Sequence, residues 1–351
     1  MPPDTPLRAA LTAEGVRQAL RITALGDAYT PVGHVLDARA FVNGMVGLMA
    51  TGGSTNLLLH LPAMARAAGV CLTLEDFADI SRITPLMARV YPNGLADVNH
   101  FHAAGGLGYM IGHLLEAGLL HPDVKTVAGG GLAAYAQDPK LEGARIRWEP
   151  APRDSLNDKI LRPATDPFQP TGGLARLSGN LGQGVIKVSA VAPERHVIEA
   201  PVRVFHDQPS VKAAFQAGEF TEDVIVVVRF QGPKANGMPE LHGLTPALAV
   251  LQDRGLRVAL VTLRQGARSD PHGTRGDGWR PVRPAARWRS GAAGRHPGQA
   301  GRADRGGGGA PSGHRRPVRQ HTGHGARAVR TVSPECRPGL TRRGNGGVRR
   351  P

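Results

Sequence analysis

Three segments carry side chains whose types and spacing suit chemistry. The first is Gly52-Gly53-Ser54-Thr55-Asn56, just before a helix-like stretch from Leu57 to Ala68. Free backbone N–H groups and the helix dipole at such a start attract phosphate or carboxylate. The glycines let a ligand approach the backbone, and the hydroxyls add donors. A capped helix after a tight turn has the same signature. The second segment is Asp97-Val98-Asn99-His100-Phe101-His102. Two histidines one residue apart, beside an aspartate, suit metal ligation or proton transfer. No third His or Cys follows at a standard ligand spacing, and capping histidines share this pattern. The third is Glu240, at the end of a Gly/Pro-rich run after the apolar stretch Val226-Val227-Val228. A carboxylate there is a hard oxygen ligand suited to Mg²⁺, or a solvated loop acid.

The elements around them read as follows. Periodicity predicts a helix over 6–25 and a buried apolar segment over 41–50. Gly69 closes the stretch 57–68, and a further helix starts at Thr73, whose spacing to Asp76 is that of a capping box. Pro92-Asn93-Gly94 is a predicted turn, and 106–117 a helix ended by Gly118. The irregular, polar stretch 153–169 suggests a domain boundary. Beyond it β-branched runs predict strands over 185–191, 197–205 and 224–230, with short helices over 210–217 and 245–253. Thr245 is the expected N-cap, with Pro246 at the first helical position. The expected fold class is an α/β first part followed by a β-rich, barrel-like second part.

Net charge is +15 over 351 residues, but it is concentrated at one end. Residues 263–351 hold twenty arginines against four acidic residues, a net +16; residues 1–262 are near neutral at −1. The basic segment has no Ile, Met, Phe, Tyr or Lys and two Leu, so it cannot bury enough apolar surface to offset its ordering entropy, roughly 1–2 kcal/mol per residue. An Arg/Gly-rich nucleic-acid tail has this composition. So does GC-rich DNA read out of frame. Trp279 and Trp288 are its only aromatics, few for stacking on bases. No apolar run is long enough for a membrane span, and no secretory signal is recognisable, so a cytoplasmic location is expected. Two cysteines, Cys71 and Cys336, are too few for a disulfide framework.

Several stretches together resemble one family. They are Ala50-Thr-Gly-Gly-Ser-Thr-Asn56, Ala88-Arg-Val-Tyr-Pro-Asn-Gly94, Asp97-Val-Asn-His-Phe-His-Ala-Ala-Gly-Gly106, Gly179-Asn-Leu181 with Val185-Ile-Lys-Val-Ser-Ala190, and Arg229-Phe-Gln-Gly-Pro-Lys234 with Asn236-Gly-Met-Pro-Glu240. They resemble the dihydroxy-acid and 6-phosphogluconate dehydratases, the Asn-His-Phe-His form being that of the sugar-acid phosphate branch. The resemblance implies elimination of water from a sugar-acid phosphate, with an iron–sulfur cluster (4Fe-4S) as Lewis acid and Mg²⁺ as second metal. It implies a homodimer, a substrate region at Gly53, Ser54, Thr55, Asn56 and His102, and Mg²⁺ ligation by Glu240. The domains implied are 1–152, the C-terminal portion of an α/β N-terminal-type domain; 153–262, an incomplete β-rich C-terminal-type domain; and 263–351, a disordered out-of-frame tail.

The sequence also departs from the family. The family's cluster cysteines lie in segments with no counterpart here, and Cys71, expected as a buried apolar residue, matches none of them. The serine thought to be the family's catalytic base would fall at Ala267, so this chain is expected to be inactive as written. Codons for Gly323–Arg330 read one nucleotide later can spell Gly-Met-Gly-Arg-Glu-Leu-Phe-Ala, which is family-like.

Overall fold

The structure, a computed structural model, describes residues 4–179, 182–231, 241–262 and 288–289. It divides into two compact units, described separately. Among the described residues, one holds the chain up to Arg176 with Val185–Ala190; the other holds Leu177–Gly184 with those from Val191 onward.

The first unit is helical: α1 (Pro6–Arg21), α2 (Val32–Val35), α3 (Ala38–Thr51), α4 (Leu57–Ala67), α5 (Leu74–Ile83), α6 (Val98–Ala103) and α7 (Gly106–Glu116). The apolar run 41–50 is the buried face of α3, started by Asp37, whose carboxylate accepts from the Ala40 N–H at 2.9 Å. Phe41, Met45, Val46, Met49 and Ala50 pack with Leu61 of α4, Phe77 and Ile80 of α5, and Tyr109, Met110 and Leu114 of α7. Each large side chain so buried contributes roughly 1.5–3 kcal/mol. The predicted capping box forms: Thr73 and Asp76 satisfy one another's backbone N–H groups at the start of α5. Gly69 and Gly118 end their helices with φ of 78° and 68°, values glycine adopts without a Cβ clash.

Some expectations need correcting. The first helix ends at Arg21, not residue 25. Cys71 is half-buried instead of a core residue. The stretch 137–150 forms a hairpin, β1 (Gln137–Glu142) with β2 (Arg145–Pro150), which the periodicity did not suggest. Residues 160–169 are irregular, but they run beside the buried segment Leu86–Ala88: the Arg89 N–H donates to Ile160 O and the Arg162 N–H to Met87 O, each at 2.8 Å.

A two-stranded pair, β3 (Ala175–Gly179) with β4 (Gly182–Ile186), carries the chain between the units. The predicted strand 185–191 is thus shorter, and residues 188–190 turn as a 3-10 helix. The predicted strand 197–205 splits into β5 (Val197–Ile198) and β6 (Val202–Phe205) at Pro201, which has no N–H for a ladder.

The second unit is built on a parallel sheet of order β6-β7-β8, with β7 (Val224–Val228) central and β8 (Val258–Thr262) beside it. All five β7 residues are buried, as a parallel strand covered on both faces requires. Val224, Val226 and Val228 face one cluster, with Val211, Leu248 and Leu251; Ile225 and Val227 face another, with Ala200. The crossovers carry α8 (Gln208–Gln216) and α9 (Thr245–Asp253). The cap of α9 is Leu244, without a side-chain bond, so Thr245 is already helical. The composition is mixed helix and sheet. Among the described residues the sheets are open, with no closed barrel. No helix among them is long and apolar enough to cross a membrane.

Candidate functional site

The loop after α3 is the centre of the first unit's candidate site. Gly52 caps the helix in the left-handed region, φ 56°, turning the chain through Gly53 to Asn56. That turn is fixed from three other parts of the chain. The Asn93 amide nitrogen donates to Gly52 O at 2.9 Å and to Thr51 O at 3.2 Å. The Asn93 amide oxygen accepts from the Ser189 hydroxyl at 2.8 Å. That hydroxyl also lies 3.2 Å from Gly173 O. Gly173 in turn donates its N–H to Met49 O at 3.2 Å. Gly172 and Gly173 are needed for this approach: a Cβ on Gly173 would lie 2.7 Å from the Gly52 Cα and 2.6 Å from the Ser189 Oγ.

The expected anion site at the helix start changes in detail. The N–H groups of Leu57 and Leu58 already donate to Ser54 O and Thr55 O, each at 3.1 Å, and the Asn56 N–H donates to the Ser54 hydroxyl at 3.2 Å. Among the described residues, the N–H groups of Ser54 and Thr55 have no protein acceptor. The donors open to a ligand therefore sit in the loop, one turn earlier than the helix start itself. Ser54 is exposed, and Gly53, Thr55 and Asn56 are partly buried.

The Asp97 segment forms a capping box at the start of α6. Its carboxylate accepts from the Asn99 and His100 N–H groups, and the His100 ring takes the Asp97 N–H. The His100 backbone bond is the largest cause holding the Asp97 carboxyl below the usual range. His100 is thus a capping residue here. His102 is exposed on α6, and its Nδ1 would stand 3.4 Å from a Cβ on Gly106. Among the described residues no hydrogen bond joins His102 to the Gly52–Asn93–Ser189 cluster. Glu240 and Ala267 lie outside the described residues. β7, the strand leading towards Glu240, ends at Val228 and not at the expected residue 230; Phe230, a non-glycine residue at φ 58°, follows it, and its ring meets His206 edge-on at 5.6 Å.

Local sequence pattern marks Asn93 as a turn residue and gives Gly173 and Ser189 no role in a site. Asn93 and Ser189 sit inside stretches that carry the resemblance; the Gly172-Gly173 doublet was the remaining available signal.

Comparison with known proteins places these segments. Residues 1–135 match the dihydroxy-acid/6-phosphogluconate dehydratase N-terminal family profile, and residues 159–266 match its C-terminal counterpart. The chain belongs to the dihydroxy-acid/6-phosphogluconate dehydratase family. Within that dehydratase family, it is 61% identical over 261 residues to a phosphogluconate dehydratase of Rhizobium meliloti, covering 74% of this chain and 43% of that protein. It is 53% identical over 260 residues to a phosphogluconate dehydratase of Escherichia coli, with the same shares. It is 39% identical over 229 residues to a dihydroxy-acid dehydratase of Roseiflexus castenholzii, covering 65% of this chain and 38% of that protein. The chain thus spans less than half the length of these dehydratase relatives.

Proposed function

We propose that this chain carries the substrate-contacting region of a hydro-lyase acting on 6-phosphogluconate, giving 2-keto-3-deoxy-6-phosphogluconate in Entner–Doudoroff sugar-acid breakdown. The observation that carries the reading is the 61% identity to a phosphogluconate dehydratase, against 39% to a dihydroxy-acid dehydratase. In the reaction a proton leaves C2, hydroxide leaves C3, and the resulting enol becomes the 2-keto acid. In this reading the Ser54 and Thr55 N–H groups, with their hydroxyls, take an anionic end of the substrate. Asn93 and Ser189 keep that loop in one conformation, and His102 is proposed to line the same substrate region. Glu240 is the proposed Mg²⁺ ligand. The location is the cytoplasm, and the assembly a homodimer.

The iron–sulfur group of the family is a different matter. Such clusters are held by about four thiolates. This sequence has two cysteines, Cys71 is half-buried, and among the described residues no three His, Cys, Asp or Glu side chains come together. These residues do not fit that group.

Calorimetric titration of the 351-residue chain with 6-phosphogluconate, and with a branched 2,3-dihydroxy acid, tests the substrate reading. Binding of the first at least about tenfold tighter is expected, since only it brings a phosphate to the loop donors. Equal or reversed preference overturns it. The segment after β8 is proposed to be out of frame; the family match ends at residue 266, four residues beyond that strand. Resequencing the locus should show codons that spell Gly-Met-Gly-Arg-Glu-Leu-Phe-Ala in the next frame at 323–330. Codons incompatible with that string make the basic segment a genuine part of the product.

A further inference from the structure

Lys187 stands two residues before Ser189, whose hydroxyl donates to Asn93 and lies against Gly52 and Gly173. Its side chain is half-buried. Burial alone pushes the ammonium pKa down, with no carboxylate offsetting the cost. Among the described residues Lys187 has no ion pair or side-chain hydrogen bond. Other half-buried cations of this unit are partnered: Arg39 pairs with Asp37 at 2.8 Å, Arg176 pairs with Glu75 at 2.9 Å, and Arg162 donates to Asp158 O at 3.0 Å and lies over the Phe168 ring. A desolvated cation without a partner burdens the folded state unless something else uses the charge.

We propose that Lys187 is an oxyanion-binding residue of the Gly52–Asn93–Ser189 cluster, holding the phosphate or carboxylate of a sugar acid against the loop 53–56. The inference rests on the sugar-acid phosphate reading above. The chemistry is complementary. The Ser54 and Thr55 N–H groups supply directional donors but no full charge, and an ammonium supplies a compact point charge on a flexible stem. The hydrogen-bonded turn at Ser189 ties the segment bearing Lys187 to the turn bearing those donors. A lysine that serves only to cover apolar surface with its stem would have the same half-burial. Lys187→Met separates the two, because methionine keeps an apolar stem and removes the charge.

The test compares the 351-residue chain with Lys187→Met and Lys187→Arg, each titrated with 6-phosphogluconate, gluconate and inorganic phosphate, and each melted without ligand. Lys187→Met should weaken 6-phosphogluconate binding about tenfold or more, while its melting temperature stays level or rises. Lys187→Arg should keep affinity within about threefold. Loss for inorganic phosphate but not gluconate assigns the ammonium to the phosphate end; loss for gluconate as well assigns it to the carboxylate. Unchanged affinity in Lys187→Met removes Lys187 from the site and leaves the substrate reading standing. A lower melting temperature with unchanged affinity makes its role structural and overturns the inference. If inorganic phosphate binds through Lys187 but 6-phosphogluconate is not preferred over a branched dihydroxy acid, the oxyanion site survives and the substrate reading falls. If the unsubstituted chain binds none of the three, both fall.

Discussion

Anaerobic incubation of the purified chain with iron and sulfide is expected to yield well under one four-iron cluster per chain, with no measurable 2-keto product from 6-phosphogluconate. The donor set decides the first half. Two cysteines cannot satisfy a cluster that takes about four thiolates, and among the described residues no other ligating side chains gather to replace them. The second half follows from the residue at 267. Where the family resemblance places a serine base, this sequence has alanine, which cannot accept a proton. Loss of a general base alone costs about 10²–10⁴-fold in rate. Loss of a Lewis acid on the leaving hydroxyl adds several kcal/mol to the barrier. Absorbance near 400 nm, iron and sulfide content, and product by semicarbazide derivatisation read the outcome. A stoichiometric cluster with turnover like that of a phosphogluconate dehydratase sinks the prediction.

Gly173→Ala should damage the candidate site more than any single loss of a donor within it. The new methyl carbon would meet the Gly52 Cα at 2.7 Å and the Ser189 Oγ at 2.6 Å. The hydroxyl can rotate away, at the cost of its bond to Asn93. The Gly52 backbone cannot, because it is held between the end of α3 and the Asn93 amide. Relief must come from moving the loop itself. Overpacking of this kind costs about 1–3 kcal/mol, and roughly 2–4 °C of melting temperature accompanies each kcal/mol in a domain of this size. A shift near 1 Å in the loop costs on the order of 100-fold wherever binding geometry matters. Gly118→Ala is the control: it strains a positive φ but meets no neighbouring atom, so it should cost stability and leave ligand affinity alone. Gly173→Ala with the affinity of the parent would mean that these four segments do not form the site.

The helices of the first unit were legible because each carries its own punctuation. Thr73 with Asp76 marks one start, and Gly69 and Gly118 mark two ends. The central strand was legible as five β-branched residues in a row, an arrangement that suits burial on both faces. The hairpin 137–150 was not, because its strands are dominated by charge and both faces are largely wet; only Gly143, Ile146 and Trp148 hint at it. Pro201 could have warned that 197–205 is two strands. The site was half legible. Its glycine–hydroxyl loop stands out in one segment, but Asn93 reaches it across 41 residues, Ser189 reaches Asn93 across 96, and Gly173 bonds Met49 at the end of α3, contacts that local pattern does not carry. The same locality misdirected the anion reading. Glycines before a helix suggest open N–H groups at its start, whereas the loop's own carbonyls take them.

The bond between Asn93 and Ser189 closes a loop of 96 residues. A ribosome adds about 5–20 residues per second. Once Asn93 has been added, roughly 5–20 s therefore pass before its partner is even synthesised. Throughout that interval α3 and its glycine turn are present, but the serine that completes the cluster is not. The amino-terminal helices can pair through local contacts as they emerge, because sequence-near contacts form in microseconds. The loop must wait. Its conformation is settled late in the life of the nascent chain, by a segment that arrives after most of the first unit's core is already made.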